Sequence, residues 1–317
     1  MSKTVCVFGD IMLDQYTHVT PTRVSPEAPV LICLKGEETF APGGAANVAA
    51  NLRSGFGLGV RLVGLQGNDA IHRTLIDTLV AHGISIKYMV GMVGWTTVQK
   101  RRFVDELGRH LLRLDTEIEN PAVPEAAQSS LDAILHVASQ ECDTLVVSDY
   151  GKGTVTAALA RCALQEFRDR GKYTIVNGKP SQFLNYRGAD LLVYNLAEAE
   201  SAWYKFGNGS VPYEPSDLAG MLYERLNANS DGTRVLTDVL VTCGDKGMVR
   251  WTIGGCQIAE AVPVSVADIT GAGDVTVATI AAFGRCDLDV MHDAAVNAAE
   301  VVSQHGTSIC TRKELFK

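Results

Sequence analysis

Apolar and polar positions along the chain follow two periods in turn. Short runs rich in β-branched residues at 4–9, 61–65, 144–148, 173–176, 191–194 and 239–242 read as buried strands. Helical spacing occupies 70–82, 125–139, 155–170 and a stretch near 217–227, the first closing at Gly83. Strands alternating with helices imply a mainly parallel sheet covered on both faces. Two stretches break the alternation. Residues 30–34 and those around 96–104 are extended, with few helix signals, and segments near 11–40 and 86–116 read as a small β-rich appendage. Between them, 43–54 reads as a loop running into a helix. With no internal repeat and no long linker, residues 1–317 read as a single domain carrying that appendage.

Composition adds limits. A content of 46% hydrophobic and 20% charged residues excludes a disordered chain. The formal net charge of −8 argues against a nucleic-acid partner, which needs a basic surface, yet leaves room for an anionic small substrate in a locally basic cleft. The eight cysteines, at 6, 33, 142, 162, 243, 256, 286 and 310, form no Cys-x-x-Cys pair and no zinc-like cluster with histidine. They read as buried free thiols suited to a reducing cytoplasm. The apolar run before Gly9 is too short for a signal peptide or a membrane span, so a cytoplasmic protein without a membrane partner is expected. Asn208-Gly-Ser210 matches a glycosylation acceptor and, in that setting, reads as a chance match in a loop.

Four short motifs carry candidate chemistry. In Asp268-Ile-Thr-Gly-Ala-Gly-Asp274, the residues Gly271, Ala272 and Gly273 allow close backbone approach at a helix start, whose unpaired N–H groups suit a transferring phosphoryl group. Asp274 at that turn can take the proton of an attacking hydroxyl; the same residues also read as a Gly-rich turn with an aspartate cap. Ala41-Pro-Gly-Gly-Ala-Ala-Asn47 brings Gly43 and Gly44 near a sugar, with Asn47 offering a donor and an acceptor; a tightly packed helix N-terminus is the alternative. Asn195-Leu-Ala-Glu198 can hold the waters of a Mg²⁺ beside phosphates, or simply cap a helix. Val241-Thr242-Cys-Gly244-Asp-Lys-Gly247 offers a hydroxyl and amides to phosphates, or is a plain turn.

Order and spacing join these motifs. Gly-Asp at 9–10, Gly-Gly-x-x-Asn at 43–47, Asn-x-x-Glu at 195–198, Thr-x-Gly-x-x-Gly at 242–247 and Gly-Ala-Gly-Asp at 271–274 resemble the ribokinase-like (PfkB) carbohydrate kinases over essentially the whole chain. Further segments are similar to the D-glycero-β-D-manno-heptose 7-phosphate kinases: Gly9-Asp-Ile-Met-Leu-Asp14, Arg23-Val-Ser-Pro-Glu-Ala-Pro-Val30, Leu111-Leu-Arg-Leu-Asp115, Val147-Ser-Asp-Tyr-Gly-Lys152 and Tyr186-Arg-Gly-Ala189. The bifunctional members of that family continue into a nucleotidyltransferase domain, an activity not expected of these 317 residues.

The resemblance implies an α/β ribokinase-like three-layer sandwich whose β-appendage is a lid over the sugar and a site of homodimerisation. It implies that Asp14, Gly43, Gly44 and Asn47 bind sugar hydroxyls, and that ATP lies across Asn195, Thr242, Gly244, Gly247 and the 271–273 turn. Mg²⁺ would be held through phosphates and waters near Glu198. Asp274 would deprotonate the anomeric hydroxyl of a phosphorylated heptose, giving the 1,7-bisphosphate on the way to a bacterial surface polysaccharide. Lys100 and Arg102 fall on one face of a lid strand and are candidates for the substrate's own phosphate.

Three departures stand against the narrow resemblance. The chain reads Asn177-Gly-Lys-Pro180 where Asp-Pro-Lys-Gly is usual, leaving Lys179 as a phosphate contact; Val193-Tyr194 replaces Thr-Pro; and 208–229 matches poorly. A PfkB-type kinase for another sugar or sugar phosphate is therefore the first alternative, and a catalytically silent sugar-phosphate sensor the second. A Rossmann dehydrogenase ranks below both, because the first strand ends in Gly9-Asp10 rather than Gly-x-Gly-x-x-Gly.

Overall fold

The computed structural model describes residues 3–118, 122–228 and 236–311; the first two residues of the N-terminal segment and residue 229 of the divergent stretch lie outside these. Strand β1 (Thr4–Gly9) shows how the chain builds its layers. Val5 and Val7 point into one apolar cluster, Cys6 and Phe8 into another, because successive side chains leave a strand on opposite faces. A strand buried on both sides needs no polar alternation, and so reads as a continuous apolar run.

Around β1 lie β4 (Gly59–Gln66), β5 (Met89–Gly91), β8 (Thr144–Ser148), β9 (Tyr173–Asn177), β10 (Leu191–Asn195) and β11 (Asp238–Thr242), all parallel. The antiparallel hairpin β12 (Met248–Thr252) and β13 (Gly255–Ala259) closes one edge, giving the nine-stranded order β13-β12-β11-β10-β9-β8-β1-β4-β5. One face carries α1 (Ala45–Ala50), α2 (His72–Ala81), α7 (Ala272–Phe283) and α8 (Leu288–Val302). The other carries α3 (Glu125–Glu141), α4 (Ala157–Arg168), α5 (Leu196–Phe206) and α6 (Pro215–Asn227).

Helix periodicity explains which side each helix buries. In α3, Ala127, Leu131, Leu135 and Ala138 recur at spacings of three and four and are buried; Leu131 and Leu135 together contribute roughly 3–6 kcal/mol. The α4 start is fixed by Thr156, whose Oγ1 accepts the Leu159 N–H at 3.3 Å. Helix α7 is different. It is buried from Asp274 through Ala282, covered by α1 and α8 as well as the sheet, which suits its small apolar residues.

A separate four-stranded sheet has the order β3-β2-β6-β7 and is formed by β2 (Ile11–Val24), β3 (Leu31–Gly44), β6 (Val98–Val104) and β7 (His110–Thr116). It corrects the expected lid boundaries. The first lid segment runs on to Gly44, where φ of 57° and a close carbonyl of Asp10 require glycine. The second begins at Val98 rather than near 86, because Met89–Gly91 follows a helix and pairs parallel with β4 at the edge of the main sheet. Helix α1 continues into a turn of π-helix, Asn51–Gly55.

Candidate active site

The ends of the parallel strands define one crevice. Asp10 follows β1, Asp149 follows β8, Lys179 lies just beyond β9, Asn195 ends β10 and Thr242 ends β11. Ligands of open α/β sheets bind outside these carboxyl ends, where the strands stop and helix N-termini face solvent.

Helix α7 enters this crevice from Gly271, which is left-handed with φ of 91°. A side chain there would be strained and would lie 3.2 Å from the Asn47 amide, whereas a Cβ on Gly273 would meet nothing within 4 Å. In the first turn the Ala272 N–H reaches back to the Ile269 carbonyl at 3.4 Å, whereas Gly273 and Asp274 present their N–H groups at the positive end of the helix dipole. Asp274 is buried at that turn. Its Oδ2 accepts from Asn47 Nδ2 at 2.7 Å and its Oδ1 from the Tyr150 hydroxyl at 2.6 Å. Burial pushes its carboxyl up to about 6; the Tyr150 and Asn47 hydrogen bonds pull the other way, Asp14 adds to the rise and Lys100 opposes it.

The lid supplies the opposite wall. In the β2–β6 register Asp14 faces Lys100 and Tyr16 faces Arg102, so all four share one face. Arg102 donates to Asp14 Oδ1 at 2.7 Å, both side chains are only 6% exposed, and its guanidinium lies 5.2 Å from the Tyr16 ring. The second Asp14 oxygen accepts from Thr307 Oγ1 at 3.0 Å, and Thr307 also meets the Tyr16 hydroxyl. Gly43 packs on this carboxylate, 2.9 Å from where its own Cβ would stand. The two basic residues that share a face therefore differ: Arg102 is committed to Asp14. Lys100 forms no ion pair among the described residues and is held below its usual range by burial.

At the end of β10, Asn195 and Glu198 form a reciprocal capping box at the start of α5, with bonds of 2.9 and 3.2 Å. Glu198 also pairs with Lys179 at 2.9 Å. Gly244 begins a short 3₁₀ turn and is open above its Cα, whereas Gly247 lies against the backbone of 259–261 and is explained by that close approach. Among the described residues no three His, Cys, Asp or Glu side chains gather as metal ligands. The Glu198 carboxylate is an oxygen donor of the kind that suits the water shell of a Mg²⁺.

Tyr150 joins the two sides. The Lys100 ammonium lies 5.1 Å from its ring centre and that of Lys179 5.5 Å. Tyr150 and its anchor both fall in motifs that carry the family resemblance, Val147–Lys152 and Gly9-Asp10, but the sequence assigns neither a role. That anchor is Asp10, whose carboxylate accepts the N–H groups of Tyr150, Lys152 and Thr154 at 2.8, 3.0 and 3.0 Å. Asp149 stands beside it, bonded to the Tyr186 hydroxyl at 2.6 Å, with burial raising its carboxyl to about 6. Position directly after β1 and β8 is the signal that could have found these residues; Thr307 offers no comparable one.

The profile of the pfkB family carbohydrate kinases matches residues 2–314. Bifunctional protein HldE of Azorhizobium caulinodans is 35% identical over 317 residues, covering 98% of this chain and 63% of that one. The protein of that name from Nitrobacter winogradskyi is 36% identical over 324 residues, covering 99% and 63%. The chain thus spans just under two thirds of these relatives' length. Among solved structures, ribokinase from Thermotoga maritima superposes with a TM-score of 0.73 at 19% identity, covering 100% of this chain and 99% of that one. Phosphofructokinase-2 from Escherichia coli, in complex with substrates and products, gives 0.73 at 18% identity, covering 99% and 97%. Both share the ribokinase-like fold, with its large mainly parallel sheet and separate small one.

Two consequences can be measured. Arg102→Ala leaves the Asp14 carboxylate buried without its partner and is expected to lower unfolding stability by about 3–5 kcal/mol in urea titrations, with much of the loss restored in the Arg102→Ala/Asp14→Asn double variant. The raised carboxyl of Asp274 binds more protons in the folded than in the unfolded chain between its ordinary value of 3.8 and about 6. Folding stability therefore falls as pH rises through that window, and the cost is complete above it. Asp274→Asn removes the charge, so it should gain stability at pH 8, by about 3 kcal/mol at most, with little gain at pH 4. Equal gains at both pH values would contradict this origin.

Proposed function

The chain belongs to the pfkB family of carbohydrate kinases, and from that premise we propose that it phosphorylates the anomeric hydroxyl of D-glycero-D-manno-heptose 7-phosphate, giving the 1,7-bisphosphate. Use of ATP follows from the family; the identity of the sugar is the finer step. The observation that carries the reading is the buried Asp274 carboxylate at the first turn of α7, beside the Gly271–Gly273 backbone and facing Asp14 and Lys100.

The chemistry follows from those groups. The sugar's anomeric O–H gives its proton to Asp274 as the oxygen forms a bond to the γ-phosphorus; the bond from that phosphorus to the β-bridging oxygen breaks, and ADP leaves with the electron pair. The N–H groups of the α7 first turn stabilise charge on the transferring group without reorganising. Lys179 and the Asn195–Thr242–Gly244 edge would position the nucleotide, and Mg²⁺ bound to its phosphates would neutralise charge there. Asp14, Gly43, Gly44 and Asn47 would hold sugar hydroxyls. Lys100, the lid cation outside any ion pair among the described residues, is the better anchor for the substrate's phosphate, since the Arg102 fork is already occupied by Asp14.

The relatives named HldE support the heptose, while Asn177 at the end of β9 keeps another sugar phosphate as the second reading. The chain is proposed to work as one kinase unit in the cytoplasm, where its eight free cysteines stay reduced. No described helix is long and apolar enough to cross a membrane. The outer face of the lid leaves Leu112 and Leu114 at 59% and 54% exposed on β7, with Phe40 on the same face at the opposite edge, and this supports a homodimer through the lid.

ADP release measured across heptose 7-phosphate, fructose 6-phosphate, ribose and nucleosides should show a clear preference for the heptose in kcat/KM; a preference for another sugar overturns the narrow reading. Its kcat should rise with pH through about 6, where Asp274 ionises, and Asp274→Asn should lose about 10²–10⁴-fold in kcat with sugar binding kept. Sedimentation velocity should give a dimer that Leu112→Glu/Leu114→Glu converts to a monomer. A monomeric unsubstituted protein at tens of micromolar would dismiss the lid interface.

A further inference from the structure

Among the described residues, Tyr150 alone contacts Asp274, Lys100 and Lys179 together. Its backbone is immobilised by an unusual anchor: three N–H groups of one loop, those of Tyr150, Lys152 and Thr154, converge on the two oxygens of Asp10, which is 1% exposed. Its ring lies within 5.1 Å of the Lys100 ammonium and 5.5 Å of the Lys179 ammonium. Its hydroxyl meets Asp274 Oδ1 at 2.6 Å, in the range of a strong hydrogen bond to a charged oxygen. A loop tied down at three points and a ring held between two cations describe a fixed donor.

We infer that Tyr150 is a positioning residue for the phosphoryl transfer: with Asn47 on the other oxygen, its hydroxyl clamps the Asp274 carboxylate in rotation and keeps it in the ionised, proton-accepting form. A buried carboxylate surrounded by apolar helix residues is otherwise driven towards its neutral form. Two donated hydrogen bonds oppose this without supplying a proton. Burial and the nearby Asp274 carboxylate hold the Tyr150 phenol well above its usual range, so it remains the donor in that pair across the working pH. Other charged groups face the pair from every side: Asp14 with Arg102 and Lys100 on the lid strands, and Lys179 with Glu198 beyond β9 and β10. Arg102 offsets Asp14 and Glu198 offsets Lys179, leaving Lys100 as the remaining cation. It contributes to the ionised base, yet forms no hydrogen bond to it among the described residues.

The inference rests on the kinase reading only for its catalytic consequence; its electrostatic content can be read in the ligand-free protein. Tyr150→Phe keeps the ring between the lysines and removes the hydroxyl alone. The titration midpoint of Asp274, followed by carboxyl ¹³C NMR and assigned by comparison with Asp274→Asn, should move up by roughly one to two pH units on that change. In turnover assays with MgATP and the accepted sugar phosphate, the acid limb of the kcat profile should move up by the same amount. The loss at pH 7 should then be roughly two- to tenfold and should largely disappear at pH 9. Asn47→Ser, which keeps a hydroxyl donor, serves as the comparison on the other oxygen and should shift the midpoint less. Thermal melting of each variant distinguishes a folded, altered site from a damaged fold. An unmoved Asp274 midpoint in folded Tyr150→Phe overturns the inference, as does a loss of kcat that is equal at pH 7 and pH 9. A shifted midpoint without turnover on any sugar would instead uphold the clamp and reject the kinase reading.

Discussion

The buried carboxylate of Asp274 is where the layers of this molecule meet, and the surrounding structure is arranged around the cost of keeping it there. It sits on the first turn of α7, is bonded from α1 through Asn47, and is bonded from the loop after β8 through Tyr150. Each supporting side chain has its own support. Asn51 donates to Asn47, and Asp10 fixes the Tyr150 loop. The helix itself is locked to its neighbour where Asn297 on α8 donates to Thr279 on α7 at 3.0 Å. A carboxylate so enclosed works against folding at neutral pH, and the hydrogen bonds reduce that cost without cancelling it. The protein thus accepts lower stability at the position proposed to carry its chemistry.

The position also explains why the fold is built with glycine at its rim. On the proposed reading Asp274 must approach a substrate, which calls for bare backbone next to it, and Gly271 and Gly43 leave room that any side chain would fill. Gly44 permits the turn by which β3 passes into α1 and carries Asn47 to the base. Asn47 and Asp274 are far apart in sequence but become neighbours because β3 leads directly into α1, and α1 packs on α7.

How far this could be read from residue order depends on which forces act locally. Strands such as β8 are legible because burial on both faces leaves an uninterrupted apolar run, and their helices because three- and four-residue spacing is visible in one segment. Strand β5 is not legible: three residues become a strand only because β4 offers an edge. The hairpin β12–β13 is likewise set by an edge, the one that β11 offers to β12. In the site, Asp274, Asn47 and the glycines announce themselves by motif, whereas Asp10, Tyr150 and Thr307 act through contacts across 124 to 293 positions of sequence. Arg102 shows the opposite limit. Its strand face is legible, but its partner is not, and the partner decides that its charge is spent on Asp14.

That pairing has a consequence for the base. Asp14 and Asp274 face the same small volume, and two unpaired carboxylates there would each oppose ionisation of the other. With Asp14 bound to Arg102, its repulsion is reduced, and the remaining local cation, Lys100, acts in favour of the ionised base. Both Lys100 and Arg102 stand on β6, a lid strand. The small sheet is therefore tied to the electrostatics of this carboxylate: as long as β6 lies against β2, it supplies the charge balance that favours an ionised aspartate near neutrality. Any displacement of β6 would withdraw both cations, drive Asp274 towards its neutral form and weaken it as a base, which makes lid position and proton acceptance parts of one electrostatic arrangement.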